Sequence, residues 1–130
     1  MSHLRFASCS PEQQQAELIA IIQSEDWLMD AFGKLSALTL ADDWVVAGAL
    51  YNTVWNRLTG KPSLHGINDI DVFYFDSSDI SYHAEDRIIR KGETMFSGSP
   101  MPVEIRNQAR VHLWFGKHFG VEIEPIRDCR

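Results

Sequence analysis

The sequence predicts a single α/β (α+β) domain spanning 1–130, in which a helical pair precedes a core of strands and helices. Three observations carry that expectation. Apolar residues recur at helical spacing as far as Leu38. The apolar, β-branched run Trp44-Val-Val-Ala47 is followed by Gly48 and a further helical pattern. Asn68-Asp-Ile-Asp-Val-Phe-Tyr-Phe75 then reads as the clearest strand in the chain.

Ser10-Pro-Glu-Gln13 starts the first helix, with Ser as N-cap, Pro at the first helical position and Gln three residues past the cap. Leu18, Ile19 and Ile22 give it one apolar stripe, ending near Gln23. A second helix opens at Ser24-Glu-Asp26 and lines up Trp27, Leu28, Ala31, Phe32, Leu35 and Leu38 on one face. Residues 1–38 therefore read as a helical pair that packs on something else.

After Ala41-Asp-Asp43 two readings stay open. One is a buried strand over Trp44–Ala47, a tight Gly48-Ala49 turn and a helix carrying Leu50, Val54, Trp55 and Leu58. The other is a continuous helix from Ala41 to Leu58, in which Gly48 would cost about 1 kcal/mol relative to Ala. Gly60–Gly66 is a loop by its Gly and Pro content, and Asp76 and Asp79 shape the turn that ends the following strand. Ser81, with Glu85 and Asp86 behind it, starts a helix expected to run to about Lys91. Gly92–Pro102 reads as a loop and Val103-Glu-Ile105 as a short strand. Asn107–Phe119 reads as a helix with Val111, Trp114 and Phe115 inward and Gly120 as its stop. Trp27, Trp44 and Trp55 are most simply core.

Composition sets the outer bounds. At 130 residues, 45% apolar and 23% charged, the chain can bury a core of its own. A net charge of −6 argues against a basic nucleic-acid footprint, yet leaves room for a substrate that brings its own phosphates and metal ions. Cys9 and Cys129 lie near opposite ends, so neither a disulfide framework nor a zinc site is expected. No apolar run reaches the ~18 residues of a membrane helix, and the start lacks a signal peptide's apolar stretch. The expectation is a cytoplasmic protein without a membrane partner.

The chemistry concentrates in a few acids. Asp69 and Asp71 are two apart on the expected strand, so both leave one face while Ile70 and Val72 leave the other. Adjacent carboxylates repel, and such pairs are held by cations or by a shared proton. Oxygen-rich sites of this kind suit Mg²⁺, which draws much of its remaining shell from water and substrate phosphates. A bare Asp-x-Asp is more often a turn residue followed by a solvated strand residue. Glu104, between Val103 and Ile105, adds a third acid on a third short strand. Backbone N–H groups at a helix start after Gly48 could receive a phosphate.

Trp44-Val-Val-Ala-Gly-Ala-Leu-Tyr-Asn-Thr-Val-Trp55, Asn68-Asp-Ile-Asp-Val-Phe-Tyr-Phe-Asp76 and Asn107-Gln-Ala-Arg-Val-His-Leu-Trp114 together resemble a bacterial nucleotidyltransferase-like family related to the DNA polymerase β superfamily. The resemblance spans roughly Asp26 to Gly120. It implies a small mixed sheet with packed helices and transfer of a nucleoside monophosphate from a nucleoside triphosphate to an acceptor hydroxyl. It implies Gly48 and Ala49 as the phosphate-side turn, and Asp69, Asp71 and Glu104 as catalytic ligands of Mg²⁺ or Mn²⁺. The sequence departs from the superfamily in having Ala49, which lacks a hydroxyl, and a long stretch between Ala49 and Asp69. Family members generally also continue past the position of Gly120. The alternative is therefore an inactive nucleotide-binding or interaction module, with a shortened C-terminal side whose apolar surface a second copy could cover. A third possibility is the fold without a nucleotide site, with Glu104 far from the aspartates.

Three residues keep double readings. Asn107, Arg110 and Trp114 would share one helix face, where Arg110 binds the triphosphate or base, or instead pairs with an acid and holds the helix on the sheet. Asn52, one turn into the helix after Gly48, lines the pocket or caps a neighbouring loop. His112 is better read as a hydrogen-bonded structural histidine than as a base.

Overall fold

A computed structural model describes residues 3–130. Its elements are α1 (Pro11–Gln23), α2 (Asp26–Leu38), β1 (Trp44–Val46), α3 (Gly48–Thr59), β2 (Ile70–Tyr74), α4 (Tyr82–Met95), β3 (Val103–Asn107), a 3₁₀ turn (Gln108–Arg110) and α5 (Val111–Phe119). The strands form one mixed sheet in the order β1-β2-β3, with β2 antiparallel to β1 and parallel to β3. The fold is α+β, as the sequence predicts.

Local chemistry explains most of the boundaries. Ser10 and Gln13 form the reciprocal capping box at the start of α1, at 3.2 and 3.0 Å. Ser81 caps α4 by accepting the Ala84 N–H at 3.1 Å. Asp76 and Asp79 accept the N–H groups of Ser78 and Ser81, fixing the turn after β2, and the hydroxyls of the same serines, followed by these N–H groups, lower both carboxyls below their ordinary range. Between the two readings of residues 41–58, the strand, turn and helix is observed. The chain breaks at Ala47, whose φ of 60° and ψ of −140° belong to neither a strand nor a helix.

Alternation divides the sheet into two unlike faces. Ile70, Val72, Tyr74 and Ile105 point into the core, where they meet Ala31, Leu35, Ala49 and Phe96. Burying this face supplies most of the drive to fold. Trp44, Asp71, Phe73, Glu104 and Arg106 alternate onto the other face. There Trp44 is 47% and Phe73 36% exposed. The helical pair is integral to this arrangement: α2 contributes to the core, and Arg57 of α3 donates to Ser24 at the α1–α2 junction.

Several sequence expectations need correction. Helix α4 continues past Lys91 to Met95. Gly92 does not open a loop: any side chain there would press on the buried tip of Ile105, so glycine lets α4 lie close against β3. Asn107 ends β3 and also caps the 3₁₀ turn that leads into α5, so it stands ahead of the helix and does not share a helix face with Arg110 and Trp114. Trp44 and Trp55 are not core, at 47% and 59% exposed. Trp44 sits on the solvated sheet face and donates its indole N–H to Asp42, while Trp55 rests beside Tyr51 on the outer side of α3. Trp27 alone of the three packs against the core. Within α5, Val111 is buried as expected, but Trp114 is 41% exposed. His112 does not find the hydrogen bond expected of it at Nδ1.

Candidate active site

The carboxylates meet at the N-terminal end of β2. Asp69 directly precedes the strand, and Asp71 is its second residue on the solvated face. The parallel register with β3 sets Glu104 opposite Asp71, and the antiparallel register with β1 sets Val46 on its other side. One carboxylate oxygen each from Asp69, Asp71 and Glu104 lies within 4.8 Å of the others. The three acids therefore converge, which removes the possibility that Glu104 lies far from the aspartates.

Their electrostatics are unfavourable as they stand. Partial burial, followed by the charges of Asp69 and Glu104, pushes the Asp71 carboxyl above its ordinary range, and Arg106 offsets part of this. Arg106 lies two residues beyond Glu104 on the same face of β3.

Two asparagines of α3 position this corner. The loop between α3 and β2 delivers Asp69, and it must be held although it contains little regular structure. Asn56, 4% exposed, donates to the carbonyls of Ser63 and His65 at 3.1 and 2.8 Å. Asn52 donates to the Gly66 carbonyl at 3.3 Å, so the loop-capping role is the one seen. The long stretch between Ala49 and Asp69 is thus the rest of α3 plus a loop pinned back onto it.

Helix α3 begins at the end of β1, beside the strand that carries Asp71. Its Leu50 and Tyr51 N–H groups bond to the Ala47 carbonyl. Gly48 and Ala49 open the helix, where no intrahelical carbonyl is available to their N–H groups. Ala49 as a whole is buried, at 1% exposed, and packs in the core, while Gly48 before it is partly exposed.

Arg110 is placed elsewhere. Its guanidinium bonds to Glu85 at 2.7 Å and to the Ile80 carbonyl at 2.9 Å, so it holds the start of α5 to α4 and pairs with neither Asp69 nor Asp71. Glu85 also accepts the Asn107 N–H at 2.8 Å. Asn107, 2% exposed, accepts the N–H groups of Asp76 and Ala109 and donates to the Asp76 carbonyl. This buried junction ties the exits of β2 and β3 together.

Sequence reasoning misses Arg106, Asn56 and Glu85. Strand alternation could have found Arg106, two residues from Glu104. Asn52 and Asn56 stand at i and i+4 on one helix face, a spacing that fits a shared loop contact. Glu85 reads as a favourable acid in a first helical turn, and nothing local marks its burial.

A small mixed sheet with three convergent carboxylates beside a helix start defines a nucleotidyltransferase-type domain. A solved structure described as revealing a CCA-adding enzyme head domain superposes with a TM-score of 0.63 at 28% identity, covering 75% of this chain and 49% of that one. The chain thus spans about half the length of that relative. The model of a family described as nucleotidyltransferase matches residues 33–130, and the chain belongs to that family. No curated protein matches it. Among the described residues no helix is long and apolar enough to cross a membrane.

Proposed function

We propose that this chain transfers a nucleoside monophosphate from a nucleoside triphosphate to an acceptor hydroxyl, with Mg²⁺ or Mn²⁺ held by Asp69, Asp71 and Glu104. The observation that carries the reading is the convergence of these three carboxylates next to the start of α3. An all-oxygen donor set with mutually repelling charges fits a hard divalent cation and suits no soft metal. When bound, such ions neutralise phosphate charge and stabilise the entering and leaving oxygens of an in-line displacement.

The chain's own groups do the rest. The Gly48 and Ala49 N–H groups, at the positive end of the α3 dipole, bind the triphosphate on the β1 side. Asn52 and Asn56 orient Asp69 through its loop. Glu104, the most exposed of the three acids, orients the acceptor hydroxyl and receives its proton.

The test is pyrophosphate release by purified protein with each of the four NTPs, in Mg²⁺ and in Mn²⁺. Metal-dependent release is expected, and Asp69→Asn or Asp71→Asn should lower it by roughly 10²–10³-fold with the circular dichroism spectrum unchanged. Equal turnover by either variant overturns the mechanism. Ala49, with no hydroxyl to offer a phosphate, is the feature that favours a second reading as a nucleotide-binding module. Metal-dependent NTP binding by calorimetry without any turnover would select that reading.

A further inference from the structure

Along the free edge of β3, between α4 and α5, lies a cavity of about 410 Å³. Its walls include Tyr82, Glu93, Glu104, Arg106, Trp114 and the Arg110–Glu85 ion pair. Glu104 therefore belongs both to the carboxylate triad and to this cavity. We infer that the cavity is the acceptor subsite, and that it takes a small hydroxyl compound carrying a planar ring and an anionic group. The assignment rests on the nucleotidyl-transfer reading.

Strand order gives the direction. β1, and with it the start of α3, lies on one side of β2, and β3 with the cavity lies on the other. In-line displacement at phosphorus places the entering and leaving oxygens on opposite sides. With the triphosphate on the α3 side, the hydroxyl enters from the β3 side. The acceptor oxygen forms its bond to the α-phosphorus as the bond from the α-phosphorus to the bridging oxygen breaks. The electron pair leaves with pyrophosphate, and the hydroxyl proton passes to Glu104 and then to water.

The lining gives the class of acceptor. Tyr82 and Trp114 are 65% and 41% exposed, leaving ring surface for a planar group to stack on. Of the two guanidiniums, that of Arg110 is engaged by Glu85 and Ile80. That of Arg106 donates to the Ile105 carbonyl and forms no ion pair among the described residues. A guanidinium with donors to spare suits a phosphate or carboxylate. The volume is that of a small-molecule site.

The indole N–H signals of the four tryptophans report the test by NMR, with adenosine 5′-monophosphate and 4-hydroxybenzoate as anionic ring probes and an amino sugar as the cationic control. Either anionic probe should shift the Trp114 signal saturably, leaving Trp27 and Trp55 in place; which of the two binds more tightly separates a phosphate from a carboxylate acceptor. Arg106→Gln should weaken that binding at least tenfold, and Arg106→Lys should recover most of it. No Trp114 response, unchanged affinity in Arg106→Gln, or preference for the amino sugar overturns the assignment. Mn²⁺ broadening of the Asp69 and Asp71 amide signals is recorded on the same samples. Its absence overturns the metal site and the acceptor assignment together, whereas broadening without a Trp114 response overturns the acceptor assignment alone.

Discussion

Carboxylates at the two ends of β2 and β3 are treated in opposite ways: Glu85 of α4 at one end, and Asp69, Asp71 and Glu104 at the other. Glu85, 7% exposed, has its oxygens taken by the Arg110 guanidinium and the Asn107 N–H, so its burial is compensated. Asp69, Asp71 and Glu104 bring one oxygen each within 4.8 Å of the others, and Arg106 is the cation that offsets part of the charge felt by Asp71. Glu85 closes the fold at the C-terminal ends of β2 and β3, and the three acids open a site at their N-terminal ends. The paired charge holds the structure together, and the repelling charges support the cation site proposed above.

The comparison breaks most visibly at Glu85. Glu85→Ala leaves the Arg110 charge without its counter-ion, held only by the Ile80 carbonyl, and the Asn107 N–H without its acceptor, and should cost about 3–5 kcal/mol in urea unfolding. A loss under 1 kcal/mol would show that the pair does not hold the strand exits together. Asn107→Ala removes three hydrogen bonds at the same junction and should cost about 2 kcal/mol by the same measurement.

Changes near the triad should act in the other direction. Ala47 occupies a backbone region in which a Cβ is strained, so Ala47→Gly should raise stability by about 1 kcal/mol, seen as a higher thermal midpoint. The same change should weaken NTP binding if the strained turn aims the Gly48 and Ala49 N–H groups.

The smallest effect is the sharpest test of the contrast. The Asp71 carboxyl is raised in the folded, metal-free protein, so the folded state holds its proton more tightly than the unfolded chain does. Stability contributed by this group therefore falls as pH rises from the unfolded value through the raised one, and returns on acidification. Asp71→Asn should then stabilise the metal-free protein at neutral pH by about 0.5 kcal/mol, a figure kept small by solvent screening. The gain should vanish below the ordinary carboxylate range and reverse in saturating Mg²⁺. A destabilised Asp71→Asn protein at pH 7 without metal would mean that the triad is structural after all.

How much of this was legible before folding varies by residue. Ser10, Ser81, Asp76 and Asp79 act on N–H groups two or three positions away, so their roles follow from sequence alone. Gly92 misled because a glycine that ends a helix and one that admits a neighbouring strand look identical in one dimension. Arg110 left two readings open because its partner, Glu85, is fixed only when α4 packs beside β3. Trp44 and Trp55 look like core by their apolarity alone, but strand pairing sets Trp44 beside Phe73 on the solvated face and Trp55 falls beside exposed Tyr51 on α3.

The sequence by itself determined the α+β class, the helix starts, and the exit of Asp69 and Asp71 from one side of a strand. Those properties depend on periods of two and 3.6 residues and on caps that act within a turn. Only the tertiary structure decided that Glu104 stands opposite Asp71, that Arg106 lies on the same sheet face as both, and that Arg110 turns away to Glu85. Strand register and helix packing couple residues far apart in the chain, and burial of the apolar sheet face sets both.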